Sequence, residues 1–449
     1  MKLRIPEHLW QALRAQLLAR KEVESAGLLF GEAIATAHDT VIAIREAFAL
    51  PDYAYQIRRR DQLSIDAIAL NRLIRPARNL GRSVLTIHTH PGAASAWFSA
   101  ADDAGDARLM PSLRCQIPDV PHGSMVLVND GGVIARVFDE SNGASEIPAT
   151  IVGRVLRGAN PTEGTLEPWF NRQELALGRR GQRQLRQLRA AVIGLGGVGS
   201  IVCMQLAHLG VGELVLIDGD IVEASNLSRI TGATQGDVGR TYKVDVAARY
   251  VRAVGLVRHV EAHREFLTAQ HEALLAETDV IVSCVDQQTP RALLNRMAYR
   301  CLLPVVDLGV AFRVNAAGAV VGDAGRVVVF GPGRPCLACW GHLDADALRI
   351  EALSADQRES ELSAGYIQGG VEEQPSVIAF NTMVAGAGVA EVLRLATAFA
   401  GSDTPPLRLA FSFAEGTVRR NVLPWNQRCT ICGAPRSTEE ELPMPHTGA

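Results

Sequence analysis

Two histidines stand two residues apart in "SVLTIHTHP", and a Ser-x-x-Asp, Ser99 to Asp102, follows within a dozen positions. "SVLTI" reads as a strand, and residues two apart on a strand share a face, so His88 and His90 point the same way. Ser99 to Asp102 has the form of a helix start, with a serine N-cap and an acid three residues on. Either half alone suits a solvated strand face or a capped helix. Together they offer two imidazoles and a nearby carboxylate, the three ligands of a zinc that keeps its fourth position for water. Zinc lowers the pKa of that water toward ~7, and peptide hydrolysis then needs a general base and a donor for the oxyanion.

A second constellation lies in "AAVIGLGGVGS", where Gly194, Gly196 and Gly199 form Gly-x-Gly-x-x-Gly after a strand, and Asp218 ends the next strand. Alone this is the dinucleotide fingerprint of a dehydrogenase. Such glycines let phosphates approach the backbone and a helix N-terminus, whichever nucleotide binds. The residues downstream favour a triphosphate. "DGDIVEASNLSRI" brings Asp220, Asn226 and Arg229 soon after Asp218, and Lys243 follows in "VGRTYKVD". "VSCVDQQTPR" ends a third strand on Asp286, placed to hold Mg²⁺ against phosphates. Cys336 and Cys339 ("CLAC") with Cys429 and Cys432 ("CTIC") make two Cys-x-x-Cys pairs, the ligand set of a closed, structural zinc site.

The elements that must position these groups fall into two units. Residues 1–142 carry short strands ("AGLLFGEAIA", "SMVLVND", "GVIARVFD") with helical patterns between them, as in "SIDAIALNRLIRPARNL". Residues 143–167, rich in Gly, Ser, Pro and Thr, read as a linker. Residues 168–435 alternate apolar strands and helices ("LRAAVIGLG", "ELVLIDGD", "DVIVSCVD", "LPVVDLGV"), which argues for a mostly parallel sheet covered by helices. Residues 436–449 read as a disordered tail. The fold class is α/β throughout. With 449 residues, 47% apolar and a net charge of −3, no general field draws the chain to nucleic acid or to an anionic membrane. Ala190 to Gly212 is free of charge for 23 residues, but its six glycines suit a strand, a turn and a buried helix better than a membrane span. "RRGQRQLRQLR" reads as a solvated surface helix. The N-terminus does not have the form of a signal peptide, and eight cysteines without one point to a reducing, cytoplasmic setting.

The first constellation resembles the JAMM/MPN+ metalloproteases of the JAB family, whose pattern is an upstream Glu, then His-[Ser/Thr]-His-Pro, a spacer and Ser-x-x-Asp. The resemblance makes His88, His90 and Asp102 the zinc ligands and Ser99 the oxyanion donor. It makes Glu24 of "ESAGLLFG" the base, in preference to Glu22, because Glu24 stands three residues before the glycine. Eight residues separate His90 from Ser99, where the family usually has seven. The second constellation resembles the ThiF/MoeB/ubiquitin-activating superfamily over roughly residues 169–435. That likeness implies a Rossmann-like adenylating domain that uses ATP and Mg²⁺. Asp218 would hold the ribose; Asn226, Arg229 and Lys243 the phosphates; Asp286 the magnesium. Asp220 is counted with the nucleotide-binding residues. "FNRQELAL" resembles the family's opening arginine motif, in which Arg172 enters the partner subunit's site, which implies a homodimer.

The resemblance implies two heads, one adenylating the C-terminal tail of a ubiquitin-like protein and one cleaving the bond after such a tail. This describes a bifunctional enzyme of a bacterial-type ubiquitin-like modification pathway, with a conjugating enzyme as a further partner. The alternative is sulfur-carrier activation and precursor trimming for cofactor or cysteine synthesis. It is favoured by the segment "WGHLDADALRIEALSADQRESELSAGYIQGGVEEQP", where a thioester-forming cysteine belongs and none stands. A peptidase domain that only binds the carrier is a third possibility. Cys115, Cys203, Cys284 and Cys301 read as buried structural thiols.

Overall fold

The computed structural model describes residues 1–158, 166–315, 317, 319–364, 375–399, 401, 407–424, 426 and 428–433. They form two compact units that divide near residue 162. The tail reading falls on residues outside those described.

The first unit is built on a mixed sheet. Among the described residues its strands run in the order Leu156–Gly158, Ala149–Val152, Lys2–Pro6, Thr40–Ala49, Ala26–Ala35, Ser83–His90, His122–Val128, Val133–Phe138 and Ala144–Ile147. Helix Glu7–Leu17 presents Trp10, Leu13 and Leu17 on one stripe and buries them against one face with Ile5, Ile42, Leu85 and Leu127. The opposite face packs Leu28, Phe30 and Val84 against Met110 and Leu113 of helix Ala100–Gln116. Central strands are therefore apolar on both faces.

Two readings are corrected here. Residues 144–158, taken as the start of a linker, are three strands of this sheet, and Ile147, Ala149 and Ile151 lie in its core. Short edge strands joined by Gly- and Ser-rich turns have the composition of a linker. The helical reading of "SIDAIALNRLIRPARNL" resolves into strand Leu63–Ile65 and helices Ala67–Leu73 and Arg75–Asn79, the second with proline in its first turn.

The second unit carries five parallel strands in the order His259–His263, Glu213–Ile217, Arg189–Ile193, Val280–Ser283 and Val305–Val314. Three antiparallel strands, Val320–Phe330, Leu407–Ser412 and Thr417–Val422, extend the same sheet. The strand order reverses between Arg189–Ile193 and Val280–Ser283, the switch point at which open α/β sheets bind ligands. Helix Ile378–Thr397 is long and apolar enough to cross a membrane. It packs here as a core helix, burying Val384, Ala385, Val389, Val392 and Leu395 against helix Gly197–His208 and strand Val305–Val314.

Candidate functional site

Strand Ser83–His90 ends on the two histidines, and its partner strand Ala26–Ala35 pairs Ala26 with His88. Thr89, on the other face, accepts from the Ser25 amide at 2.9 Å, and its own amide donates to Ser25 O at 2.9 Å. The histidine strand is thereby pinned to the segment that carries Glu24. Nε2 of His88 lies 3.1 Å from Nε2 of His90; His88 Nε2 is 2.9 Å from Asp102 Oδ1, and His90 Nε2 is 3.4 Å from Asp102 Oδ2. Ser99 is the N-cap of helix Ala100–Gln116, and Asp102 closes a capping box with it, so the helix start fixes the carboxylate. The Ser99 hydroxyl donates to Asp102 Oδ2 at 2.8 Å. Three lone-pair donors converge, and His90 Nδ1 is buried without a partner. This donor set fits a zinc ion better than it fits a purely hydrogen-bonded cluster. Burial raises the Glu24 carboxyl above its ordinary range, His88 and His90 oppose that rise, and Asp102 adds to it.

In the second unit a cavity of about 870 Å³ opens at the switch point. Gly194, Gly196, Asp218, Asp220, Arg229, Lys243 and Asp286 line it. Gly194 turns with φ +83°, and a Cβ on Gly199 would meet Gly194 O at 1.8 Å, so this turn admits only glycine there. Gly199 therefore shapes the loop from behind without lining the cavity. Burial raises the Asp218 carboxyl. Asp218 also ties the loop to the next strand, accepting from the Leu195 amide at 2.5 Å and the Asp220 amide at 2.8 Å. Lys243 Nζ rests on Asp220 Oδ2 at 2.7 Å. Asn226 is buried in the turn Ala224–Asn226, its Oδ1 accepting from the Glu223 amide and its Nδ2 donating to Ser225 Oγ. It does not line the cavity in this structure, because the turn has used both ends of its amide. Arg172 stands exposed in the first turn of helix Asn171–Gln187.

The four sulfurs of Cys336, Cys339, Cys429 and Cys432 lie within 4.8 Å of one another, with the Cys336–Cys429 and Cys339–Cys432 pairs at 3.8 Å. Zinc–sulfur bonds of ~2.3 Å at tetrahedral angles put sulfurs about 3.8 Å apart, whereas a disulfide needs about 2.05 Å. The set fits a Cys₄ zinc. Of the other thiols, Cys203 and Cys301 are buried, but Cys115 is exposed, contrary to the sequence reading. An exposed cysteine on the outer side of a helix leaves no mark in composition. Cys284 lines the switch-point cavity, and burial pushes its thiol up, away from thiolate.

Sequence reasoning missed Arg326, His342 and Arg408, which also line the cavity. They come from the antiparallel extension and from the segment after the first cysteine pair, where no motif announces them. Arg291 was within reach, since it closes the quoted run "VSCVDQQTPR" five residues after Asp286.

Two family models match the chain, the ThiF family over residues 170–433 and prokaryotic homologs of the JAB domain over residues 6–139. The chain is 30% identical over 218 residues to the adenylyltransferase and sulfurtransferase uba4 of Aspergillus fumigatus, a match covering 46% of this chain and 44% of that protein. It is 36% identical over 166 residues to the SAMP-activating enzyme E1 of Haloferax volcanii, covering 36% of this chain and 57% of that one. The matches thus span about half the length of these curated relatives. Among solved structures it resembles E. coli MccB with a TM-score of 0.48 at 19% identity, over 62% of this chain and 76% of that one.

Proposed function

From the premise that the chain belongs to the ThiF family, we propose that its second unit adenylates the C-terminal carboxylate of a ubiquitin-like or sulfur-carrier protein. We propose further that its first unit is a zinc peptidase acting on the bond after the same tail. The observation that carries the first reading is the cavity at the switch point, which sets a glycine turn beside Arg229, Lys243 and Asp286. In this reaction a tail carboxylate oxygen bonds to the α-phosphorus of ATP, the bond from that phosphorus to the β-bridging oxygen breaks, and pyrophosphate leaves. The carboxylate is its own nucleophile, so the enzyme contributes positioning and charge stabilisation. The loop amides and the start of helix Gly197–His208 cradle the phosphates, Arg229 and Lys243 offset their charge, and Asp286 offers a carboxylate for Mg²⁺. Arg172, exposed on its helix, is assigned to the cavity of a second copy in a homodimer.

Carrier-dependent ATP–pyrophosphate exchange tests this reading. Asp286→Ala and Arg229→Ala should each lower exchange by ~10²-fold or more, the scale of losing one preorganised charge contact to a transferring phosphoryl group, and His88→Ala should leave it intact. Exchange that persists in Asp286→Ala overturns the magnesium assignment, and nicotinamide dinucleotide binding in place of ATP overturns the reading as a whole.

The sulfur-carrier variant is favoured by the absence of cysteine from residues 340–375, the segment that would bring a thiolate over the cavity. Cys284 lines the cavity but is held as thiol by burial. Enzyme, ATP, Mg²⁺ and carrier run on a gel with and without reductant should therefore show no reductant-sensitive enzyme–carrier band. A strong band that Cys284→Ala removes would restore a thioester relay.

A further inference from the structure

The cavity has a basic end that the nucleotide residues do not account for. Asp307 is fully buried and accepts from Ser283 Oγ at 2.9 Å, Arg291 Nε at 3.4 Å, and Nε and Nη2 of Arg326 at 3.2 Å each. Arg291 spends its remaining nitrogens on the carbonyls of Asp286 and Val285. Arg326 lies over Gly309, where a Cβ would meet its guanidinium carbon at 3.3 Å. Arg408 joins from the next strand with its Nε buried and unpartnered, and His342 Nε2 is in the same state. Burial holds His342 down at about 4, and Arg326, Arg408 and Arg291 press the same way while Asp307 opposes them. Two guanidiniums, those of Arg291 and Arg326, thus share one carboxylate, while Arg408 adds a third beside a neutral imidazole, and unpaired buried charge is costly. This end of the cavity is built for an anion.

Its distance from the glycine turn identifies the anion. Ile193, Ser283, Asp307, Val328 and Arg408 are paired in one row across five adjacent strands. At ~4.8 Å per strand the row puts Arg408 about 19 Å, and the strand of Arg326 about 14 Å, from the strand that ends in the glycine turn. An extended peptide covers that span in about four to six residues. Gly309, Ala311, Ala324 and Gly325 line the stretch between, small residues that let a backbone lie close.

We propose that Arg326, Arg408 and His342 form a specificity subsite for an acidic side chain of the carrier tail, about four to six residues before the carboxylate that is adenylated. The inference rests on the activation reading above. Its test titrates the full chain, with ATP and Mg²⁺, against labelled synthetic peptides ending in Gly-Gly that carry Glu, Gln or Lys at successive upstream positions. Binding is read by fluorescence anisotropy and activation by pyrophosphate exchange. One register in the window should bind the Glu peptide roughly ten- to a hundredfold more tightly than the Gln peptide, the scale of a charge-assisted hydrogen bond. Arg408→Gln should bind the two alike, Arg408→Lys should keep a preference for Glu, and Arg408→Glu should move it to Lys. Equal binding of Glu and Gln by the unaltered chain, a preference that survives in Arg408→Gln, or no peptide binding at all overturns the subsite. Exchange without charge preference overturns the subsite and leaves activation standing; charge-selective binding without exchange does the reverse.

Discussion

Cys432→Ser strips one zinc from the chain, melts the second unit at a much lower temperature and abolishes pyrophosphate exchange. The four sulfurs come from two pieces of chain 93 residues apart, one following strand Val320–Phe330 and one following strand Thr417–Val422. A metal there clips the outer edge of the antiparallel extension to the end of Val320–Phe330, closing a long loop that packing alone would have to close. Cys336 and Cys432 are buried, so removing the ion leaves thiols crowded in the interior with no metal to hold them together. Structural zinc contributes about 10–16 kcal/mol in zinc-finger peptides, against about 5–15 kcal/mol for the whole stability of an ordinary domain. The loss should therefore be cooperative and large. The first unit draws its sheet from residues 2–158, so cleavage of a tail fusion should continue in the same variant. Metal analysis, thermal melting by circular dichroism and the two assays together decide the point. An unchanged melt with a full complement of zinc would reject the structural role.

What was legible in the sequence follows from what constrains residue type. Gly194 and Gly199 are forced by backbone geometry, a positive φ at one and a carbonyl 1.8 Å from any Cβ at the other. Such positions write themselves into the chain. His88 and His90 are likewise fixed by strand period, and Ser99 with Asp102 by the needs of a helix start. Asn226 shows the opposite case, since a polar residue in the right place is consumed by its own turn. Residues 144–158 failed as a linker because turn composition hid the short strands between the turns. Of the basic end of the cavity, only Arg291 was legible. Arg326 meets Asp307, and Arg408 falls in the same row, only because antiparallel pairing sets three strands side by side, and register between distant strands has no local signature.

Glu24→Gln keeps zinc in the first unit and lowers cleavage of a peptide fused after a Gly-Gly tail by ~10²–10⁴-fold, the usual contribution of a positioned base. The backbone that carries it is held from both sides. The Glu24 amide donates to Arg59 O at 2.8 Å and its carbonyl accepts from Arg58 Nε at 3.1 Å, while Ser25 is tied to Thr89 between the histidines. Gln keeps the size and the backbone ties and removes only the proton acceptor. The ligand atoms belong to His88, His90 and Asp102, so metal content should not move. His88→Ala, by contrast, should lose both the metal and the cleavage. Glu22, exposed in the preceding turn, serves as the control, and Glu22→Gln should cleave at the unaltered rate. Zinc lost from Glu24→Gln would make Glu24 a ligand, and full cleavage by that variant would pass the role of base to Glu22.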